Sequence, residues 1–115
     1  MKRSRLSPVS KKRQTLNAAR RIFVKRILEE RPQCEAQIPY VCSNYSVDVH
    51  EIMTRARGGD ILNDDNVLAL CRPCHFFITN EPAFSQEHGF TVHSWATSAD
   101  LIAADRAREI FRLDP

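Results

Sequence analysis

Between residues 15 and 30, the apolar side chains Leu16, Ala19, Ile22, Phe23, Ile27 and Leu28 recur at helical spacing, which predicts an amphipathic helix. Arg20, Arg21, Lys25 and Arg26 take much of the remaining circumference, and Pro32 ends the helix and delivers the chain to Cys34. Residues 39–44 read as a turn and residues 46–52 as a strand. Residues 55–60, with Gly58-Gly59, must then double back, so that residues 66–70 return as the second strand of a hairpin-like pair. Residues 71–79 read as a short helix. Pro82 fits the first turn of another, which Gly89 would stop. Phe90, Val92 and Ser94 alternate with Thr91, His93 and Trp95, a pattern that predicts a short strand. Ser98 would cap a final helix whose Leu101, Ile102, Ile110 and Phe111 face inward. Trp95, Phe76, Phe77, Phe84 and Phe90 are expected in the core rather than as base-stacking residues. Strands and helices in this order give an α+β class with flanking N- and C-terminal helices.

The 115 residues make one domain with a core too modest to be self-sufficient. No apolar run approaches a membrane span, and the N-terminus lacks the apolar core of a secretory signal, so a cytoplasmic setting is expected. The net charge of +3 conceals an asymmetry. Residues 1–28 carry ten Lys and Arg and no acid, whereas residues 29–115 carry seven basic and fourteen acidic side chains. Residues 1–14 are therefore expected to form a basic arm, disordered without a partner, ahead of a folded domain over residues 15–115. A basic arm on an acidic body suits a polyanion, because each phosphate contact releases condensed counterions. It is equally consistent with a solubilising tail.

In a reducing compartment, four cysteines in two pairs are metal ligands before they are disulfides. Cys71-x2-Cys74 lets two thiolates point at one ion from a tight turn, and Cys34 and Cys42 complete a tetrahedral set. Zinc suits four thiolates, and a closed set leaves no coordination position for catalysis, so the site is expected to be structural. Cys71-x2-Cys74-His75 also matches the c-type haem attachment sequence. That reading would leave Cys34 and Cys42 idle, and no methionine beyond Met1 and Met53 exists to serve as an axial partner. No βαβ pattern surrounds the pair to support a thioredoxin-like redox role.

The run Val47-Asp48-Val49-His50-Glu51-Ile52, then Arg55, Arg57 and Gly58-Gly59, then Asn66-Val67-Leu68-Ala69-Leu70-Cys71-Arg72-Pro73-Cys74-His75 resembles the HNH endonucleases. The resemblance covers residues 34 to about 80 and is greatest to short phage-type members with a four-cysteine zinc site. It implies a ββα-metal core, a hairpin followed by a helix around one divalent ion, and the hydrolysis of DNA phosphodiester bonds. By position it implies His50 as a metal ligand, Glu51 at the general-base position, Asn66 as the residue that ties the intervening loop, and His75 as the closing metal ligand. Glu51 stands where the family has histidine. Either the carboxylate is the base, or His50 is the base while Asp48 or Glu51 helps hold the metal, or the site is catalytically weakened. Strand alternation puts Asp48 and His50 on one face and Glu51 on the other, so Glu51 and His50 share a site only if the strand bends at its end.

The implied chemistry needs an activated water and a stabilised leaving oxygen. The catalytic cation would be magnesium, manganese, nickel or zinc. Arg55, Arg57 and Arg72 are candidate phosphate clamps, and His88 and His93 carry no assigned role. The expected partner is DNA, bound mostly through phosphates and weakened steeply by salt. By family analogy alone, phage terminase subunits are further candidates. Two other classes compete with the nuclease: a non-catalytic zinc-stapled DNA-binding module accessory to a larger complex, and a protein-interaction domain using the C-terminal helix.

Overall fold

The structure, a computed structural model, describes residues 10–113. Helix α1 spans Lys11–Glu30 and is capped by Ser10, whose hydroxyl accepts from the Arg13 amide at 3.2 Å. That cap satisfies an amide the helix would otherwise leave unpaired, and it starts α1 four residues upstream of the position expected from periodicity. Residues 11–14, expected in the disordered arm, are therefore helical, while residues 1–9 of that arm lie outside the described residues. The Arg31 amide closes the C-terminal end on the Ile27 carbonyl at 2.8 Å, and Pro32 follows.

The chain then folds back on itself before the sheet begins. Cys34 donates to the Asn44 carbonyl at 2.7 Å and Ser46 to the Pro32 carbonyl at 2.9 Å. Both Val41 and Cys42 donate to the Ile38 carbonyl, which makes the expected turn. Strand β1, Asp48–Glu51, pairs antiparallel with β2, Val67–Leu70, in the register Asp48↔Leu70, Val49↔Ala69, His50↔Leu68 and Glu51↔Val67. Both strands are shorter than expected, but the Val47 amide still reaches the Leu70 carbonyl and the Ile52 amide the Asn66 carbonyl.

All four β2 residues are buried. Val67 and Ala69 pack with Phe23 and Ile27 of α1, whereas Leu68 and Leu70 join the main core with Ile52, Ile78, Phe90 and Ala104. Directly paired residues share a face of the sheet. Asp48 and His50 therefore look toward the main core, and Val49 and Glu51 look toward α1.

Beyond β2 come α2, Arg72–Asn80, and α3, Pro82–Glu87, each with a proline in its first turn. Residues 90–95 do not form the expected strand. The Phe90 and Thr91 amides both go to the Ser85 carbonyl, only Val92 bonds to β1's continuation at Ile52, and Ala96 donates to the His93 carbonyl to close a turn. With its first amides spent on α3, this segment has no ladder to extend.

Helix α4 runs from Ser98 to Leu113. Its cap lies one residue before the expected Ser98: the Thr97 amide donates to the Asp100 carboxylate at 2.9 Å and the Asp100 amide to the Thr97 hydroxyl at 3.3 Å, a reciprocal arrangement of capping-box type. The helix is also rotated from the expected setting. Ala104, Arg108 and Phe111 face inward, while Leu101, Ile102 and Ile110 are exposed. The cause is a close approach at Gly89, whose absent side chain lets the Ala104 backbone in, and the buried Arg108 guanidinium that donates to the Gly89 carbonyl and to Asp105. Phe77, Phe84, Phe90 and Phe111 form the expected aromatic core, with His88 packed against Phe84 and Phe111. Phe76 and Trp95 do not belong to it; they are 70% and 75% exposed.

A Cβ at residue 89 would lie 2.1 Å from the Ala104 carbonyl oxygen, and its φ of +78° is unfavourable to any L side chain. Gly89→Ala is expected to destabilise the fold by about 2 kcal/mol or more, measurable by urea unfolding.

Candidate metal centre and adjoining histidine site

The strand and helix ends described above deliver four sulfurs to one place. Cys34 follows the end of α1, Cys42 sits on the turn that Ile38 closes, Cys71 is the N-cap of α2, and Cys74 lies in its first turn. Their Sγ atoms all lie within 4.8 Å of one another, with Cys42 and Cys71 at 3.9 Å, and no disulfide joins them. A tetrahedral ion with metal–sulfur bonds of about 2.3 Å puts its sulfurs roughly 3.8 Å apart, so modest contraction closes the cluster on an ion. Amides already point at the sulfurs: Ser43 and Cys74 donate to Cys71, and Asn44 donates to Cys42.

The titration of these thiols carries the same message. Burial alone would raise Cys71, but the Ser43 and Cys74 amides outweigh it and bring it down to about 6. Burial and the crowding of neighbouring sulfurs push Cys42 and Cys74 up instead. Four sulfurs this close become thiolates together only with a cation among them. Among the described residues, this is the one group of three or more potential ligands whose donor atoms converge.

Beside it, β1 and α2 bring together Asp48, His50 and His75. The two imidazoles are 5.3 Å apart between centroids in an edge-to-face arrangement. His75 Nδ1 lies 3.2 Å from Asp48 Oδ2, and Arg72 grips the same carboxylate with Nε and Nη2 at 3.1 and 3.0 Å. Burial works to raise the Asp48 carboxyl, but the bonds from Arg72 and His75 prevail and hold it below the usual carboxylate range. His50 is buried, and its Nε2 lies 2.7 Å from the Phe90 carbonyl oxygen. A carbonyl only accepts, so Nε2 carries the hydrogen and Nδ1 keeps its lone pair. Burial lowers His50 to about 4, with the nearby charges of His75 and Arg108 acting in the same direction, so the ring is neutral at pH 7.

Asn66 lies where a loop clamp was expected and ties the loop twice. Its Oδ1 accepts from the Met53 amide, and its Nδ2 donates to the carbonyls of Met53 and Asp60, each at 2.9 Å. Gly59 presses on the same peptide, for a Cβ there would sit 1.8 Å from the Met53 oxygen. Gly58 supplies the left-handed turn with φ +92°.

Glu51 is not brought into this group. The chain bends only beyond the strand, at Ile52 and Met53, and the carboxylate lies on the α1 face, 3.5 Å from Arg20 Nη2. Arg20 also donates to the Ile61 carbonyl. Of the candidate phosphate ligands, Arg55 is exposed and pairs with no described residue. Arg57 spends one donor on the Val92 carbonyl at 3.0 Å, and Arg72 spends two on Asp48. On α1, Arg20 and Arg26 are engaged by acids, Arg26 by Glu30 and Asp64, which leaves Lys11, Lys12, Arg13, Arg21 and Lys25 as its exposed cations. Sequence reasoning missed the Phe90 carbonyl, for which no side-chain pattern exists, and gave Asp48 only a conditional part. Asp48 was visible in the period-two spacing from His50.

No helix among the described residues is long and apolar enough to cross a membrane. Compared with known proteins, the chain matches no family model, no curated protein and no solved structure.

The purified protein is expected to carry about one equivalent of tightly held metal in the cysteine cluster, measured by elemental analysis. Cys74→Ser or a strong chelator should remove it and lower the unfolding temperature. Equal thermal stability with and without metal would refute a structural role.

Proposed function

We propose that this chain is a metal-dependent DNA endonuclease of HNH type, with a structural zinc ion in the four-cysteine cluster. One observation carries the reading: an antiparallel strand pair followed by a helix juxtaposes Asp48, His50 and His75, over a loop tied by Asn66, next to four convergent sulfurs. Soft thiolates and tetrahedral closure favour zinc in the cluster and leave it no catalytic position.

In this reading His75 and Asp48 would hold a catalytic divalent cation, which when bound would supply charge neutralisation at the scissile phosphate and at the leaving 3′ oxygen. His50 is the general base. Its Nδ1 lone pair faces away from the Phe90 bond, and burial keeps the ring unprotonated, so it can take a proton from the attacking water. The water oxygen bonds to phosphorus, the bond to the 3′ oxygen breaks, and that oxygen takes a proton from solvent water, giving 5′-phosphate and 3′-hydroxyl ends. Asn66 keeps β1 and its following loop in register, so that His50 cannot swing from this position. Arg55, with the remaining donors of Arg57 and Arg72, offers forks to phosphate oxygens. Glu51 serves the fold by pairing with Arg20. The exposed cations of α1 add contacts that do not read sequence.

A second reading has one observation in its favour. Both Asp48 oxygens are already engaged, by Arg72 and His75, as they would be in a zinc-stapled DNA-binding module without turnover. A supercoiled-plasmid assay separates the two, run on the zinc-loaded protein with magnesium, manganese or nickel added. Nicking is expected, falling by roughly 100-fold or more in Asp48→Ala, His50→Ala and His75→Ala, and by only a few-fold in Glu51→Gln. Retained DNA binding with no nicking under any metal would select the binding module.

A further inference from the structure

Trp95 is the only tryptophan in the chain and stands 75% exposed. One face of its indole is backed by the His93 ring, with centroids 4.1 Å apart and planes inclined by 36°. The pair sits on a short turn anchored at both ends. Before it, the Val92 amide bonds to the Ile52 carbonyl; within it, Ala96 donates to the His93 carbonyl; after it, Thr97 and Asp100 lock the start of α4. The indole is thus held in place rather than left on a loose loop, and its outer face is open.

The surroundings restrict what can cover that face. Ser94, Thr97, Ser98 and Asp100 around it are polar and exposed. An apolar partner or a lipid surface needs a contiguous apolar patch, and the residues next to the indole in the chain, Ser94, Thr97 and Ser98, are hydroxyl-bearing. A single flat π-surface fits a single flat ligand. Cationic groups adjoin the segment: Arg57 donates to the Val92 carbonyl at its base, and Arg55, which pairs with no described residue, belongs to the same turn of backbone. A cleft of about 320 Å³ that includes His93 is lined also by Glu87, Thr91 and Asp100. Its carboxylates repel phosphate but accept hydrogen bonds from base amino groups.

We propose that Trp95, backed by His93, is a stacking platform for an unpaired nucleobase, with the strand's phosphates on the Arg55–Arg57 side. The ligand class is single-stranded DNA or a frayed duplex end, because an internal base pair offers no free face. The proposal rests on the nucleic-acid reading above but not on catalysis. It gives a small nuclease a preference for distorted or melted DNA over intact duplex.

Because Trp95 is alone, intrinsic fluorescence reports on it directly. The full-length, zinc-loaded protein is titrated without added divalent cation with a 12-nucleotide thymidylate and with a blunt duplex closed at both ends by hairpins. End-label anisotropy follows total binding in parallel. The single strand is expected to quench the emission, and the closed duplex to bind without quenching. Trp95→Ala should weaken single-strand binding by roughly tenfold, Trp95→Phe should retain most of it, and neither should alter duplex affinity. Anisotropy that rises with the single strand while the emission stays unchanged would overturn the proposal. So would equal quenching by the closed duplex, or a Trp95→Ala protein with unchanged affinity. Plasmid nicking is scored separately, so an inactive protein that stacks bases and an active one that does not are distinct results.

Discussion

Burial of β2 on both faces is the constraint from which the remaining geometry follows. Four consecutive side chains of Val67–Leu70 leave water, two toward α1 and two toward the main core. A one-residue slip would exchange those faces, so hydrophobic burial fixes the register. The paired strand inherits the choice. Asp48 and His50 are directed toward α2, where His75 waits, and Glu51 is directed to α1, where only a cation can satisfy it. The separation of His50 from Glu51 onto opposite faces is thus a consequence of packing.

Polar atoms near this strand are satisfied by partners distant in sequence, and that is what makes a small core specific. Asn66 spends three hydrogen bonds on one loop, Glu35 accepts from both Arg31 and the Ala69 amide, and Arg108 caps the Gly89 carbonyl from α4. No buried side-chain nitrogen or oxygen among the described residues lacks a partner. Buried groups left unpaired would each cost about 1–3 kcal/mol, a large fraction of a small domain's stability. The cysteine cluster adds a covalent-strength link between the end of α1 and the start of α2 when an ion fills it.

Much of this was legible in the sequence. The long period of α1, the two cysteine pairs, the Gly-Gly turn and the period-two separation of Asp48, His50 and Glu51 each correspond to one local rule, and the structure places them accordingly. What escaped depends on contacts between elements. The rotation of α4 is set by a glycine on another segment and by a buried arginine, which any hydrophobicity pattern assigns to the surface. The segment at 90–95 alternates like a strand, yet its first two amides go to the Ser85 carbonyl rather than to a ladder. Trp95 and Phe76 are apolar enough for a core but emerge on the outside, because Ala104, Phe90 and Phe111 already fill the space.

The bond from His50 to the Phe90 carbonyl carries a consequence for what counts as the working unit. The strand pair and helix that carry Asp48, His50 and His75 end at Asn80, yet the atom that decides which imidazole nitrogen is free lies ten residues further on. The carbonyl of the preceding residue, Gly89, is in turn bonded by Arg108 of α4. The terminal helix thus anchors the residue next to the one whose carbonyl sets the tautomer of a strand histidine. A fragment ending at Asn80 would keep Asp48, His50 and His75 and lose the carbonyl that His50 bonds.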